Sequence, residues 1–247
     1  MSKLGLLIST CQHYFSNIPN IIKDIEECGF PKENVLIVSG QENSNSIYYQ
    51  NDIKIVKVNY TGLHLTGVVY VCENMDSFKN IDYWIILPDT IKLEKKFYAN
   101  VLEYYNTYLN NSKVLSLPFI NPRIRQSMDM GIVHISHIVN MSDYLNKIKK
   151  AHPCNEIIQL KNQLILDENT ILGLRAVSHE HSTKFTYINE LNPTTPDIFI
   201  TNNKNELIER LIISNNRLLN EVYFTKLGIY KYQRNFRGPG PNLIMEL

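Results

Sequence analysis

The sequence predicts an α/β fold with parallel strands at its centre. Three observations predict it. Short apolar runs, rich in β-branched and aromatic residues, recur at Leu4 to Ser9, Val35 to Val38 and Tyr83 to Leu87, and runs of that length read as buried strands rather than helices. Between the first two, Ile18, Ile21, Ile22 and Ile25 recur at helical spacing. Each apolar run ends in a small polar mouth: Ser9-Thr10-Cys11-Gln12-His13, Ser39-Gly40-Gln41 and Pro88-Asp89-Thr90. A β-α-β opening of this kind implies parallel strands joined by a right-handed crossover.

Composition bounds the class. The chain has 247 residues, 44% hydrophobic and 20% charged, which suits one large globular domain, or a domain plus a small appendage, able to bury its core without staples. The formal net charge of +1 gives no global field toward nucleic acid or a membrane surface. No stretch reaches the length of a membrane span, and the apolar run after Met1-Ser2-Lys3 is too short for a signal peptide. Cys11, Cys28, Cys72 and Cys154 are far apart and form no CxxC pair. They read as free thiols in a reducing compartment, which makes the expected location cytoplasmic.

In order along the chain, Ser16 reads as the cap of the first helix, with Pro19 in its first turn and Gly29 and Pro31 as its stop. Asn43 to Asn51 is polar and reads as a loop, and Ile53 to Val58 alternates as a third strand. Gly62 and Gly67 bracket His64, Leu65 and Thr66 ahead of an apolar helix, Val68 to Cys72. That pattern fits a helix start approached closely by a ligand, or a turn with Gly67 packed on a strand. The central strand stops at Pro88, which cannot donate to a ladder. Asp89 and Thr90 then stand at a strand's carboxyl end, where open α/β sheets bind ligands; the alternative is that Asp89 caps a following helix.

An amphipathic helix is expected from about Lys95 to Leu109, a strand at Val114 to Leu117, an irregular basic stretch from Pro118 to Arg125, and a helix from Ser142 to Lys149. His179 and His181 form a weak metal-binding pattern. A helix follows at Asn205 to Asn220. The last segment carries Lys231, Arg234 and Arg237 interleaved with Tyr232 and Phe236, then Gly238-Pro239-Gly240-Pro241. It reads as a mobile basic flap or as a solvated tail.

This order of parts, with the strand ending Leu87-Pro88-Asp89-Thr90 and the later segment around Met130-Gly131, resembles the GT-A type of nucleotide-sugar glycosyltransferase, in the small forms of bacteria and large DNA viruses. The likeness spans about residues 4–145. It implies a single GT-A-like domain over 1–230, with a Rossmann-type mixed central sheet flanked by helices. The nucleotide-binding part would cover about 1–118, the acceptor side about 119–230, and a basic tail 231–247. The implied activity is transfer of a sugar from a UDP- or GDP-sugar donor to a hydroxyl of a glycan or other acceptor.

By the same resemblance Asp89 matches the last carboxylate of the family's Asp-x-Asp motif and would help hold Mn²⁺ or Mg²⁺ on the diphosphate. Leu87 stands where the family has its first acidic residue, which leaves one carboxylate for the metal. Thr10 would lie near the nucleoside, Ser39 near the base edge, and His64 and Thr66 beside the ribose and diphosphate. Asp129 matches the place of the catalytic base in inverting members. Arg234 and Arg237 would bind the donor diphosphate from the flap. Two other readings stay open. One is a sugar nucleotidyltransferase, although Ser9 to His13 lacks that class's Gly-rich basic loop. The other is a binding protein on a degenerate transferase fold.

Overall fold

The computed structural model describes residues 3–59, 65–109, 116–121, 126–140, 142–150, 185–189, 197–201, 227–233 and 243–245. Its strands are β1 (Leu4–Cys11), β2 (Val35–Gly40), β3 (Ser46–Gln50), β4 (Ile53–Lys57), β5 (Tyr83–Pro88), β6 (Ile91–Leu93), β7 (Ser116–Asn121), β8 (Gln126–His134), β9 (Phe185–Asn189), β10 (Asp197–Thr201), β11 (Ile229–Gln233) and β12 (Leu243–Met245). The helices are α1 (Ile18–Cys28), α2 (Thr66–Glu73), α3 (Phe97–Tyr104), α4 (Ile135–Asn140) and α5 (Ser142–Lys150).

The fold is α/β, with a mixed sheet of seven strands in the order β3-β4-β2-β1-β5-β8-β7. Its centre is parallel: β1 pairs with β2 and β5, and β2 with β4. The flanks are antiparallel, β3 on β4 at one side and β8 on β5 at the other. From β1 the chain moves outward through α1 to β2. It returns through α2 from β4 to β5, on the far side of β1. Two right-handed crossovers in opposite directions put α1 and α2 on opposite faces. Accordingly α1 packs with α3, and α2 packs with α4 and α5. Leu6, Leu7 and Ile8 of β1, and Ile85, Ile86 and Leu87 of β5, are fully enclosed, as expected of strands covered on both faces.

Local chemistry explains most boundaries. Gly29 ends α1 at φ 70°, and its N–H closes on the Glu26 carbonyl, the left-handed stop that favours glycine. Gly5 lies under the Trp84 ring, where an added Cβ would stand 2.6 Å from Cε3. Gly67 brings α2 onto β1: an added Cβ would meet Leu7 Cδ1 and Ser9 Oγ at 2.8 Å. Its N–H also donates to Ser9 Oγ at 3.3 Å. The close approach at Gly67 is therefore made by a strand.

Several expectations need correction. Ser16 does not cap α1. A 3-10 turn, Gln12–Asn17, runs straight into the helix, and the Phe15 carbonyl takes the Ile18 N–H. Asn43 to Asn51 is not all loop, because β3 occupies Ser46 to Gln50. As an edge strand it leaves Ile47 and Tyr49 57% and 68% exposed, so its polar flanks mask it. Asn51 and Asp52, at φ 51° and 66°, form the two-residue turn that joins Gln50 to Ile53, as a primed hairpin turn requires. The strand expected at Val114 to Leu117 is β7, which continues through Pro118 with a register shift before Ile120. Proline is tolerated there because β7 is the outer strand. Asp89 does not cap a helix, since β6 follows it.

The tail boundary at Lys231 falls inside β11, which pairs with β6 and with β12. The helix expected at Asn205 to Asn220 and the histidines at 179 and 181 lie outside the described residues. Among the described residues no helix is long and apolar enough to cross a membrane. Cys11, Cys28 and Cys72 are free thiols; Cys154 lies outside the described residues.

Candidate functional site

The chain reverses direction across the sheet between β1 and β5, and their carboxyl ends are adjacent: Ser9 pairs with Pro88. This is the topological switch point of the sheet, where such folds leave a crevice. Thr10 follows Ser9, and Asp89 follows Pro88. Along β1 Leu7 and Ser9 face α2, so alternation turns Thr10 to the α1 side.

There the Thr10 hydroxyl donates to Asp89 Oδ2 at 2.6 Å. Both residues are buried, at 5% and 8% exposure. Asp89 is thus a built-in carboxylate with one oxygen oriented by β1, not a solvated turn residue. A cavity of about 410 Å³ opens beside it, between the 3-10 turn, the first turns of α1 and the segment Asp89 to Lys92. Its wall includes His13, Tyr14, Asn17, Asn20, Asp24 and Thr90. The volume falls in the range of small-molecule sites.

Ser39 lies level with Thr10 on β2 and is fully enclosed. Its hydroxyl donates to Glu42 Oε1 at 2.6 Å. Glu42 in turn lies 3.7 Å from Lys57 Nζ, and that ammonium sits 4.5 Å from the centroid of the Phe15 ring. The Ser39 hydroxyl therefore anchors the turn through Gln41, whose φ is 60°. Thr66 is buried at 1% exposure in the first turn of α2. Neither Ser39 nor Thr66 lines the cavity.

Asp129 stands in β8. Gly131 pairs with Ile86 in antiparallel register, so the chain before it, including Asp129, lies at the Pro88 end of β5. His64, Arg234 and Arg237 lie outside the described residues. Of the residues singled out from the sequence, Thr10 and Asp89 are thus in contact, Asp129 belongs to the same end of the sheet, and Ser39 flanks it.

Asp24 was not anticipated. It sits on the cavity side of α1, half-buried, and its Oδ2 accepts the Leu93 N–H at 3.0 Å. Burial pushes its carboxyl above the ordinary range, partly offset by the Leu93 N–H and the field of Lys92. No local signal marks it, because it belongs to the polar side of an ordinary amphipathic helix.

A divalent cation held by Asp89 would need further oxygen ligands. Among the described residues no group of three His, Cys, Asp or Glu side chains lies together. Leu87, where the GT-A resemblance leads one to expect a first acidic residue, is wholly buried. The described residues do not by themselves fit a metal centre, and no step below runs through one. Compared with known proteins, the chain matches no protein-family model and no curated sequence.

Proposed function

We propose that the protein transfers a sugar from a nucleoside diphosphate sugar to a hydroxyl acceptor, with the donor bound across the β1–β5 switch point. The observation that carries this reading is the Thr10–Asp89 hydrogen bond, which fixes a buried carboxylate at the mouth of a cavity of ligand size. In open α/β sheets this place receives nucleotides. A second support is the order of parts that resembles the GT-A glycosyltransferases.

In this reading the acceptor oxygen attacks the anomeric carbon as the bond to the diphosphate breaks. The acceptor proton passes to Asp129, and the nucleoside diphosphate leaves. Negative charge grows on the leaving group, so cations placed there lower the barrier. Arg234 and Arg237 are assigned that task. Strand β11 supports the assignment: it runs antiparallel to β6 and passes from Ile229 beside Leu93 to Lys231 beside Ile91, toward Asp89. His64 is assigned to the ribose and diphosphate.

The test is calorimetric titration of wild type and Asp89→Asn with UDP, GDP, UDP-glucose, GDP-mannose, UTP and ATP, followed by a transfer assay. Binding of a diphosphate or its sugar ester whose affinity changes in Asp89→Asn, in either direction, puts the donor against Asp89 and supports the reading. Preference for triphosphates would move the assignment to a nucleotidyltransferase. Binding without turnover on any acceptor would leave the binding-protein reading, which Leu87 in place of the first Asp-x-Asp carboxylate favours as the second choice.

A further inference from the structure

The cavity holds a second carboxylate, Asp24, whose hydrogen-bonding capacity the fold uses only in part. Asp24 spends Oδ2 on the Leu93 N–H. Among the described residues no other hydrogen bond and no ion pair engages it; Lys92 and Lys23 act on it through the longer-range field. An ionised carboxylate can accept about four hydrogen bonds, so most of its capacity is unspent. Holding such a group half-buried is costly. The Leu93 N–H also locks its orientation, as a binding group requires.

The charge of the wall narrows the ligand. Two lysines, Lys23 and Lys92, stand in the wall with two carboxylates, Asp24 and Asp89, so the formal charges of these four cancel. A neutral wall does not concentrate an anion as a basic cleft would. Oriented acceptors on Asp24, amides on Asn17 and Asn20 and the Thr90 hydroxyl suit a neutral group rich in O–H donors. The Tyr14 ring supplies an apolar surface for the C–H side of such a group.

We propose that this cavity takes a neutral polyhydroxylated ring, and that Asp24 accepts hydrogen bonds from two adjacent hydroxyls of it. The inference rests on reading the switch point as the donor site, and it divides that site: the ring enters the cavity and the diphosphate stays outside. The ring is the ribose of the nucleotide or the sugar being transferred, and both present the same vicinal diol.

The test titrates wild type, Asp24→Asn and Asn20→Trp with ribose, glucose, UDP, GDP, UDP-glucose and GDP-mannose, by calorimetry and by ligand-observed NMR for the weak free sugars. Asparagine keeps an acceptor for the Leu93 N–H. Asn20 is an exposed position on α1, so a tryptophan there obstructs the cavity without entering the core. Asp24→Asn is expected to weaken binding at least tenfold, and Asn20→Trp to abolish it. A loss already present with UDP or GDP identifies the ribose; a loss confined to the sugar esters identifies the transferred sugar.

Wild-type affinity in both variants overturns the inference and leaves the nucleotide-sugar reading standing. Loss in Asn20→Trp alone overturns the role of Asp24. Asp24-dependent binding of free sugars with no response to any nucleotide upholds the ring site at Asp24 and overturns the donor reading, and with it the identification of the ring as part of a donor. No binding of any probe to wild type overturns both.

Discussion

Replacing Thr10 by valine tests the contact that joins the two strand mouths. Valine keeps the branching and nearly the volume of threonine and deletes only the hydroxyl. In the wild type that hydroxyl donates to Asp89 Oδ2 at 2.6 Å, between residues 5% and 8% exposed, so water does not readily replace it. Hydrogen bonds to charged groups contribute about 1.5–3 kcal/mol. In a chain of this size each kcal/mol moves the melting temperature by about 2–4 °C, so Thr10→Val should melt about 3–12 °C lower. Urea unfolding of Thr10→Val, Asp89→Asn and the double variant closes a thermodynamic cycle. Residues in direct contact couple by about 0.5–3 kcal/mol, and a charge-assisted bond belongs in the upper half of that range. An unchanged melting temperature with coupling near zero would refute the claim that Thr10 orients Asp89, and with it the reading of Asp89 as a held carboxylate.

Asp129→Asn should lower turnover by at least tenfold with donor affinity within about twofold of wild type, because the amide keeps shape and loses basicity; equal loss in kcat and donor binding would exclude it as the base. Arg234→Ala/Arg237→Ala should weaken UDP or GDP binding and raise donor hydrolysis relative to transfer, measured by product analysis. These point variants are preferable to truncation after Gln233, which would remove β12 from its pairing with β11. Gly5→Ala should destabilise the fold by about 1–3 kcal/mol in urea unfolding, since the new methyl meets the enclosed Trp84 ring. His134 is held below its ordinary value of 6.5 by burial, with Asp82 opposing in part. The unfolded chain then binds the proton more readily, so stability should fall as pH drops below 6.5 toward the folded value. Melting curves of His134→Asn, which retains an acceptor for the Ser136 N–H, should fall less steeply over that window.

Much of the fold was legible because its signals are local. Ile18, Ile21, Ile22 and Ile25 mark the buried face of α1, Gly29 its end, and Tyr83 to Pro88 a strand buried along nearly its whole length. β3 was hidden because an edge strand covered on one side does not look apolar, although Asn51-Asp52 carried its turn. The mouths of β1 and β5 were also visible, since small polar residues directly follow apolar runs. What the sequence could not disclose is which distant residues meet. Thr10 reaches Asp89 across 79 positions only because β5 inserts beside β1 in one register. Asp24 becomes a cavity wall only because α1 packs against β6 and presents it to the Leu93 N–H. Periodicity reports which side of an element is buried, and burial has no partner written into it. Partners are set by strand order and crossover hand, which belong to the whole chain.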